Sequence, residues 1–313
     1  MSCVLGIDGG GSKTVCVLMD DTGKVLNRGE AGASNYQSVG IQAALSSIES
    51  AIAQATEHRE GVKVEAICLG LAGVGRPQDI QVIQGLVEQL KTSNSLAVSW
   101  ALQPTGVVIC SDAEIALVGG LGYNVGIVAI AGTGSIVFGR NRQGETKRVG
   151  GWGHIIGDSG SAYHIAVSGL RAVLRAYDDR AEPTSLQQLL LQHLSLGSVE
   201  DLVEVVYRRG WGVTEIAALA PIVDRAASEG DLVASAIVEQ AVQELVKSTL
   251  VVIDAIFSRD EAVEIVTTGS VWLSQSKLNE RFAASIVALA PLAKVIYPRH
   301  EPAYGAGLLA LKH

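Results

Sequence analysis

The sequence has few aromatic residues and no excess of positive charge. Aromatic side chains make up 4% of its 313 residues, with only three Phe, so its core must consist of aliphatic side chains. The net charge of −8 argues against a nucleic-acid partner, because binding a phosphate backbone requires a basic surface. Hydrophobic residues at 48% and charged residues at 18% are typical of a globular chain, and the length allows two domains.

Cysteine is also scarce, and long apolar runs are missing. Cys3, Cys16, Cys68 and Cys110 each lie in or beside an apolar run, and no two of them form a CxxC pair. This pattern predicts buried, reduced thiols rather than disulfides or a metal cage. No uninterrupted apolar run reaches the roughly 18 residues of a membrane span, and the N-terminus lacks a secretory signal pattern. We therefore expect a cytoplasmic protein with no membrane partner.

Residues 4–19, VLGIDGGGSKTVCVLM, contain two apolar strand-like runs around Asp8 and a glycine triplet. The pattern predicts a hairpin whose glycines can adopt positive φ. Exposed backbone N–H groups suit the oxygens of a phosphate chain, and Asp8 could hold the accompanying Mg²⁺. The candidate phosphate-binding residues are Gly9, Gly10, Gly11, Ser12, Lys13 and Thr14. An ordinary glycine turn with an acidic neighbour is the alternative.

Residues 129–139, AIAGTGSIVFG, repeat this design. The candidate residues of this second hairpin are Gly132, Thr133, Gly134 and Ser135. Aligned on the first hairpin, Gly132 matches Gly9, Gly134 matches Gly11 and Ser135 matches Ser12, whereas Ala131 matches Asp8. Only the first hairpin could therefore place a carboxylate near a metal. The repeat predicts duplicated halves that face each other across a cleft, with chance similarity of two glycine turns as the alternative.

Asp112 follows the strand-like run at 107–110 and precedes a helix-like segment. It could be the N-cap of that helix, since Asp readily accepts backbone N–H groups there. It could equally be a catalytic base, because strand ends line the ligand crevice of open α/β sheets. Glu114 is a weaker candidate because it would lie inside the helix.

Three further segments carry polar residues that could bind a ligand. Asn35 lies at the mouth of a helix from about Ile41 and is either its cap or a ligand contact. The glycine-rich loop at 150–166 leads into a helix, and its Asp158 could cap that helix or bind a polar ligand. Gly269 and Ser270 separate a strand from a helix expected at about 273–289, where a ring or ribose could approach the backbone. A last helix is expected to begin at Gly305–Gly307.

Six motifs occur along the chain in a fixed order. They are DGGGSKT at 8–14, GLAGVGRP at 70–77, SDA at 111–113, AGTGS at 131–135, GGWGHIIGDSGSAY at 150–163 and TGSVW at 268–272. Together they resemble the eukaryotic-type N-acetylglucosamine kinases over essentially the whole chain. The wider grouping also contains bacterial glucosamine and N-acetylmuramate kinases and the ATPases that activate 2-hydroxyacyl-CoA dehydratases.

The resemblance implies an α/β fold with two actin-like domains, the sugar-kinase ATPase fold, whose duplicated ribonuclease H-like halves surround a nucleotide cleft. The implied domains are 1–115 with the first hairpin, 116–300 with the second hairpin and adenosine site, and 301–313 as a helix packing back toward the first domain. Related kinases are often dimers, so the resemblance is compatible with a homodimer, although the sequence does not fix the oligomeric state.

The same resemblance implies an ATP- and Mg²⁺-dependent kinase that phosphorylates a hydroxyl of N-acetylglucosamine or a close relative. It implies that both hairpins bind the ATP phosphates, that Asp8 serves Mg²⁺ and that Gly269 with Ser270 lies by the adenosine. Asp112 is then the base for the sugar hydroxyl. The residues implied to line the sugar site are Asn35, Asp112, Trp152, Gly153 and Asp158.

One position departs from the animal enzymes, which have Asn near the sugar where this chain has Ile136. Glucosamine or N-acetylmuramate therefore stays open as the acceptor. Two functions of other classes also stay open. A dehydratase activator would need cysteines at a subunit interface for an iron–sulfur cluster, and a non-catalytic sugar or nucleotide sensor could use the same fold.

Overall fold

The computed structural model describes residues 2–59, 61–258 and 260–312, and these form two compact units. One unit contains the chain up to Val125 together with the segment from Pro298 onward, and the other contains Gly126–Tyr297. The chain ends named in the domain prediction, Met1 and His313, lie outside the described residues. The roles predicted for residues 1–115, 116–300 and 301–313 stay predictions.

Both units are built from strands joined by helices. The strands are β1 Ser2–Gly9, β2 Thr14–Asp20, β3 Val25–Ala31, β4 Val62–Leu71, β5 Val98–Trp100, β6 Val107–Ser111, β7 Gly126–Ala131, β8 Ser135–Arg140, β9 Thr146–Gly150, β10 Val263–Thr268 and β11 Ala293–Ile296. The helices are α1 Tyr36–Val39, α2 Ile41–Thr56, α3 Pro77–Thr92, α4 Asp112–Leu121, α5 Ala162–Tyr177, α6 Leu186–Leu194, α7 Asp201–Arg208, α8 Val213–Ala217, α9 Ala220–Ser228, α10 Leu232–Ile256, α11 Leu278–Leu289 and α12 Pro302–Ala310.

The two sheets have the same topology. In the first unit the order is β3-β2-β1-β4, and β5 and β6 pair in turn along the outer edge of β4. In the second unit the order is β9-β8-β7-β10-β11. Each sheet starts as an antiparallel three-strand meander and continues with parallel strands. The predicted α/β fold with duplicated halves is therefore confirmed.

Aliphatic side chains fill the core of the first unit, as the scarcity of aromatic residues requires. Ile7, Leu18 and Ile67 are fully buried from the sheet, and Ile48 and Ile52 cover it from α2. The four cysteines are buried, as predicted, and the Sγ atoms of Cys68 and Cys110 lie 3.9 Å apart. None of the described helices combines the length and the apolar character that crossing a membrane requires.

The last helix, α12, packs on β1 and α4 through small residues. A Cβ atom at Gly6 of β1 would collide with the backbone of Ala303 and Gly307, and one at Gly305 would collide with α4. Two predicted helix starts are wrong. The last helix begins at Pro302 rather than at Gly305, and α11 begins at Leu278 after a separate 3-10 turn at Ser270–Leu273.

Candidate active site

The carboxyl ends of three parallel strands of the first unit lie at one edge of its sheet. Gly9 of β1 is in register with Leu71 of β4, which is in register with Ser111 of β6. Asp8 lies one residue before the end of β1, and Asp112 follows β6 directly. The crevice at such an edge is where open α/β sheets bind ligands. The first unit therefore brings two of the predicted site residues, Asp8 and Asp112, to the same edge.

The surroundings of the Asp8 carboxyl group disfavour its charged form. Burial raises its pKa to about 7, and the nearby charges of Asp112 and Glu301 act in the same direction, whereas Lys13 acts against them. A cation at this point would relieve the repulsion between the carboxylates. Mg²⁺ is usually held by one or two carboxylates, with water and phosphate oxygens as its other ligands. Asp8, with Asp112 close by, fits that pattern.

Asp112 is not the N-cap of α4, so that alternative is wrong. Ser111 has the extended backbone of a cap, and its Oγ accepts a hydrogen bond from the Glu114 N–H at 3.3 Å. Asp112 is the first residue of the helix, and its Oδ1 accepts from the Ala113 N–H at 2.9 Å. Because the cap is supplied by the preceding residue, helix capping does not account for a carboxylate at 112.

The glycines of the first hairpin are required for two different reasons, and positive φ is not one of them. None of Gly9, Gly10 and Gly11 has a positive φ, contrary to the prediction. A Cβ atom at Gly9 would collide with Ser34 Oγ and Leu71 Cδ2, so this glycine is needed for packing. A Cβ atom at Gly11 would have no neighbour within 4 Å, so its backbone is open to a ligand.

The last residue of the first hairpin supports a neighbouring loop. Thr14 is fully buried, and its hydroxyl lies 2.7 Å from both the Gly32 carbonyl and Ser34 Oγ. Thr14 Oγ1 has donor geometry toward both oxygens, so its one hydroxyl proton is shared between these two acceptors. The N–H groups of Ser34 and Asn35 donate to the Gly10 carbonyl at 3.0 and 3.1 Å. The loop that carries Asn35 is thereby fixed to the hairpin.

Asn35 caps a helix, although not the expected one. Its Oδ1 accepts from the Gln37 N–H at 3.2 Å, which caps the short α1, whereas Gly40 precedes α2. Gly73, with φ of 81°, lies against Asn35, and a Cβ atom there would be 2.9 Å from Asn35 Oδ1. A capping role accounts for one contact of this side chain, so its role in sugar binding stays a prediction.

Asp79 holds the segments around Asn35 and is a residue that the sequence analysis missed. It is 4% exposed, and it accepts hydrogen bonds from Tyr36 Oη at 2.6 Å and from the Arg76 N–H at 2.8 Å. These bonds, with that of Tyr36 foremost, hold its pKa well below the usual range, at about 2. Its place shortly after Pro77 signals a helix N-terminus, but only the fold brings Tyr36 to it.

The second hairpin has a shorter loop than the first. Gly9 pairs with Thr14 in the first hairpin, whereas Ala131 pairs with Ser135 in the second, which leaves one residue fewer between the strands. The expected correspondence of Gly9 with Gly132 and of Ser12 with Ser135 is therefore wrong in register. The Gly132 N–H donates to the Gly134 carbonyl at 2.9 Å, and the Ala162 N–H of α5 donates to the Gly132 carbonyl at 2.8 Å.

Asp158 lies against this second hairpin. A Cβ atom at Gly134 would be 2.7 Å from Asp158 Oδ2. Burial raises the pKa of Asp158, while hydrogen bonds from the Ser135 and Gly153 N–H groups oppose the shift. Asp158 has a φ of 55°, and Ser161 rather than Asp158 caps α5, so the capping alternative is wrong. In the second unit, the Asp158 carboxyl group therefore lies close to the hairpin at Gly134 and close to Gly153.

The loop that follows β9 is exposed and apolar. Trp152 is 66% exposed, and the Arg148 guanidinium carbon lies 4.7 Å from its ring centroid. Gly151, with φ of 68°, lies against Ile136, because a Cβ atom there would be 2.8 Å from Ile136 Cδ1. Position 136, where the sequence departs from the animal enzymes, therefore lies against the residue before Trp152.

A cavity of about 360 Å³ opens beside the second hairpin, within the second unit. Gly269 lies against the backbone of Ala131 and has a φ of 112°, a combination that only glycine allows. The cavity lining combines apolar side chains with a few polar groups, which suits a flat heterocycle. Its lining includes Thr133, Ile165, Pro221, Asp224, Ser270 and Val271. The unit thus brings Gly269 and Ser270 to the hairpin, and adds Asp224, which the sequence analysis missed.

The duplicated mixed sheets, each opening with a glycine hairpin, define a class that contains actin-like ATPases and sugar kinases. Comparison with known families agrees and is more specific. The chain belongs to the BadF/BadG/BcrA/BcrD ATPase family, whose model matches residues 5–310.

Two curated relatives match along almost their whole length. The N-acetylmuramic acid/N-acetylglucosamine kinase of Clostridium acetobutylicum is 36% identical over 99% of this chain and 98% of its own. The N-acetyl-D-glucosamine kinase of Dictyostelium discoideum is 34% identical over 98% of this chain and 97% of its own. A solved structure from Chromobacterium violaceum, proposed to be an N-acetylglucosamine kinase, has a TM-score of 0.75 and 24% identity, covering 98% of each chain. The fold is thus that of its kinase relatives.

Proposed function

We propose that this protein is an ATP-dependent kinase that transfers the γ-phosphate to a hydroxyl of N-acetylglucosamine or a close relative. The observation that carries the proposal is that Asp112 lies near Asp8, at the edge of the first sheet where the parallel strands have their carboxyl ends. The backbone of Gly11, in the hairpin that follows Asp8, is open. The kinase names of relatives at 34% and 36% identity support the reaction.

In this proposal the hairpins at 9–14 and 132–135 bind the phosphates of one ATP molecule through backbone N–H groups. The cavity beside Ser270 receives the adenosine, since its mixed lining suits a base and a ribose. Asp8 would hold Mg²⁺, which supplies charge neutralisation for the phosphates when bound. Thr14 acts indirectly, because its hydroxyl secures the loop at 32–34.

Asp112 orients the acceptor hydroxyl and takes its proton as the oxygen attacks the γ-phosphate. Asn35 fixes the sugar from the loop secured to the first hairpin. Trp152, Gly153 and Asp158 contribute the remaining sugar contacts. The Gly153 N–H favours the charged form of the Asp158 carboxyl group and acts to lower its pKa, so these two residues are neighbours in the second unit.

Burial of the cysteines supports a kinase over a dehydratase activator. All four thiols are buried, including Cys16, whose pKa is raised by burial. An iron–sulfur cluster shared between two copies would need thiols at the surface. The cytoplasmic location and the homodimer expected from the sequence stay predictions.

The test is ADP release measured with ATP, Mg²⁺ and a panel of acceptors. The panel contains N-acetylglucosamine, N-acetylmuramic acid, glucosamine, glucose and no sugar. We expect release that depends on an N-acetylated amino sugar. ATP hydrolysis that is equal with and without sugar would favour an activator ATPase, and sugar binding without any ADP release would favour a sensor.

A further inference from the structure

Arg148 lies beside the exposed aromatic ring that we assign to the sugar site. In the β8–β9 pair, Arg148 is opposite Phe138 and Gly150 is opposite Ile136. Side chains two residues apart on a strand share one face, so Arg148 emerges on the face of the sheet that carries Ile136. Its guanidinium carbon lies over the Trp152 ring, 4.7 Å from the ring centroid.

Within the described residues, the Arg148 guanidinium group donates no hydrogen bond to a backbone or side-chain acceptor, and its contact with Trp152 is made over the indole ring. A stacked Arg keeps the N–H donors along its edge available, and these match a carboxylate in a bidentate manner. Within residues 2–59, 61–258 and 260–312, no Asp or Glu side chain forms an ion pair with Arg148. Arg142, which precedes it in the β8–β9 turn, instead pairs with Glu261 at 3.6 Å.

An acidic acceptor would need such a cation. The protein carries a net charge of −8, and the Asp158 carboxylate lies in the same unit against the second hairpin. A carboxylate on the acceptor would be repelled here unless a positive group offset the charge. A neutral amino sugar has no group that requires one. The positive charge of Arg148 would thus stabilise the binding of an acceptor that carries a carboxylate, and it would not affect the binding of a neutral amino sugar in this way.

We propose that Arg148 is a specificity residue that binds a carboxylate substituent of the acceptor, so that the enzyme accepts acidic N-acetylated amino sugars as well as neutral ones. This inference rests on the proposed kinase function and on Trp152 lining the sugar site. The probe is N-acetylmuramic acid, which differs from N-acetylglucosamine by a lactyl ether that carries one carboxylate.

The experiment measures kcat/KM for both sugars in the wild type and in Arg148→Met, Arg148→Lys and Arg142→Met. We expect Arg148→Met to lower the ratio of N-acetylmuramic acid to N-acetylglucosamine activity about 10-fold, since a charge-assisted contact is lost. Arg148→Lys retains the charge but loses the paired donors, so its ratio should be intermediate. Arg142→Met should match the wild type.

Salt supplies a second readout that a merely structural role would not change. The wild-type KM for N-acetylmuramic acid should rise between 0.05 and about 0.5 M salt, because exposed charge pairs are screened over that range. The Arg148→Met enzyme should lose this dependence.

An unchanged ratio in Arg148→Met would overturn the inference, whether both activities fall together or neither changes. A wild type that phosphorylates N-acetylglucosamine but not N-acetylmuramic acid would also overturn it and would leave the proposed function intact. Failure of the wild type with every amino sugar would instead reject the proposed function itself.

Discussion

The two hairpins share a scaffold but differ in how an acid reaches them. In the first, Asp8 belongs to the strand that enters the turn. In the second, the entering strand ends in Ala131, and Asp158 reaches the turn from the loop before α5. The two acids also differ in their partners. Asp8 is next to a second carboxylate, Asp112, which raises its pKa, whereas the backbone N–H groups of Ser135 and Gly153 act to lower the pKa of Asp158.

The connections after each meander differ as well. In the first unit residues 32–61 lead from β3 to β4, whereas in the second unit residues 151–262 lead from β9 to β10. The longer connection supplies α5 and the helices that line the cavity beside Ser270. The two units therefore share the order of their sheet strands but differ in the side chains and connections that surround each hairpin. The neighbouring carboxylates Asp8 and Asp112 lie in the first unit, and the cavity beside Ser270 lies in the second.

The largest expected effect comes from removing the proposed base of the first unit. Asp112→Asn should lower kcat about 10²- to 10⁴-fold, because a general base contributes about that much. The Kd for ATP, measured by calorimetry, should change less than about threefold. Asp158→Asn is the matched variant of the second unit, and we expect it to raise the sugar KM with a smaller loss of kcat. Equal losses of kcat in the two variants would contradict the assignment of the catalytic base to Asp112 and of a sugar contact to Asp158.

Asp8→Asn should change the Mg²⁺ requirement. We expect about 10- to 100-fold more Mg²⁺ at half-maximal rate, as for other losses around a metal site. Adding Ala131→Asp to this variant should restore nothing, since the strand register gives Ala131 the position of Gly9 rather than that of Asp8. A titration of the initial rate against Mg²⁺ checks both variants, and rescue by the second change would make the hairpins interchangeable.

The raised pKa of Asp8 predicts a pH dependence of stability in metal-free buffer. Between the unfolded value of 3.8 and about 7, the folded protein binds the proton more tightly, so its stability falls as pH rises through that window. Asp8→Asn lacks this loss. We therefore compare the free energy of unfolding of the variant with that of the wild type, measured with urea in the presence of EDTA. The difference between them should change by about 1–3 kcal/mol in favour of the variant from pH 5 to pH 8. A constant difference across that range would contradict the assigned pKa.

The smallest effects separate two glycines of the first hairpin. Gly9→Ala should lower the free energy of unfolding by about 1–3 kcal/mol, because its Cβ atom would collide with Ser34 and Leu71. Gly11→Ala should leave stability within about 0.5 kcal/mol, since its Cβ atom meets nothing within 4 Å. It should instead raise the KM for ATP. A Gly11→Ala variant with unchanged KM would show that phosphate does not approach this backbone.

Local patterns predicted much of the fold. Both hairpins, the strands that follow them and the duplication could be derived from alternating apolar residues and glycine, since these signals need no knowledge of distant contacts. The burial of the cysteines followed from the same runs. The strand β5 was missed because its three residues have too little pattern to stand out.

The details of the site required the fold. The one-residue difference between the hairpin loops is visible only in the strand register. Ser111 rather than the predicted Asp112 caps α4, because two adjacent residues can each cap the same helix end and the sequence does not show which one does. Asp79 was missed because its partner Tyr36 is distant in sequence. Such contacts arise from tertiary packing, which a single sequence does not encode locally.

The most direct test of the account is amide hydrogen exchange with and without ADP and Mg²⁺, read at residues 9–14 and 132–135. The nucleotide should slow exchange in both hairpins, at the same ADP concentration for each. Protection of one hairpin alone would contradict the claim that the duplicated turns bind the phosphates of a single nucleotide.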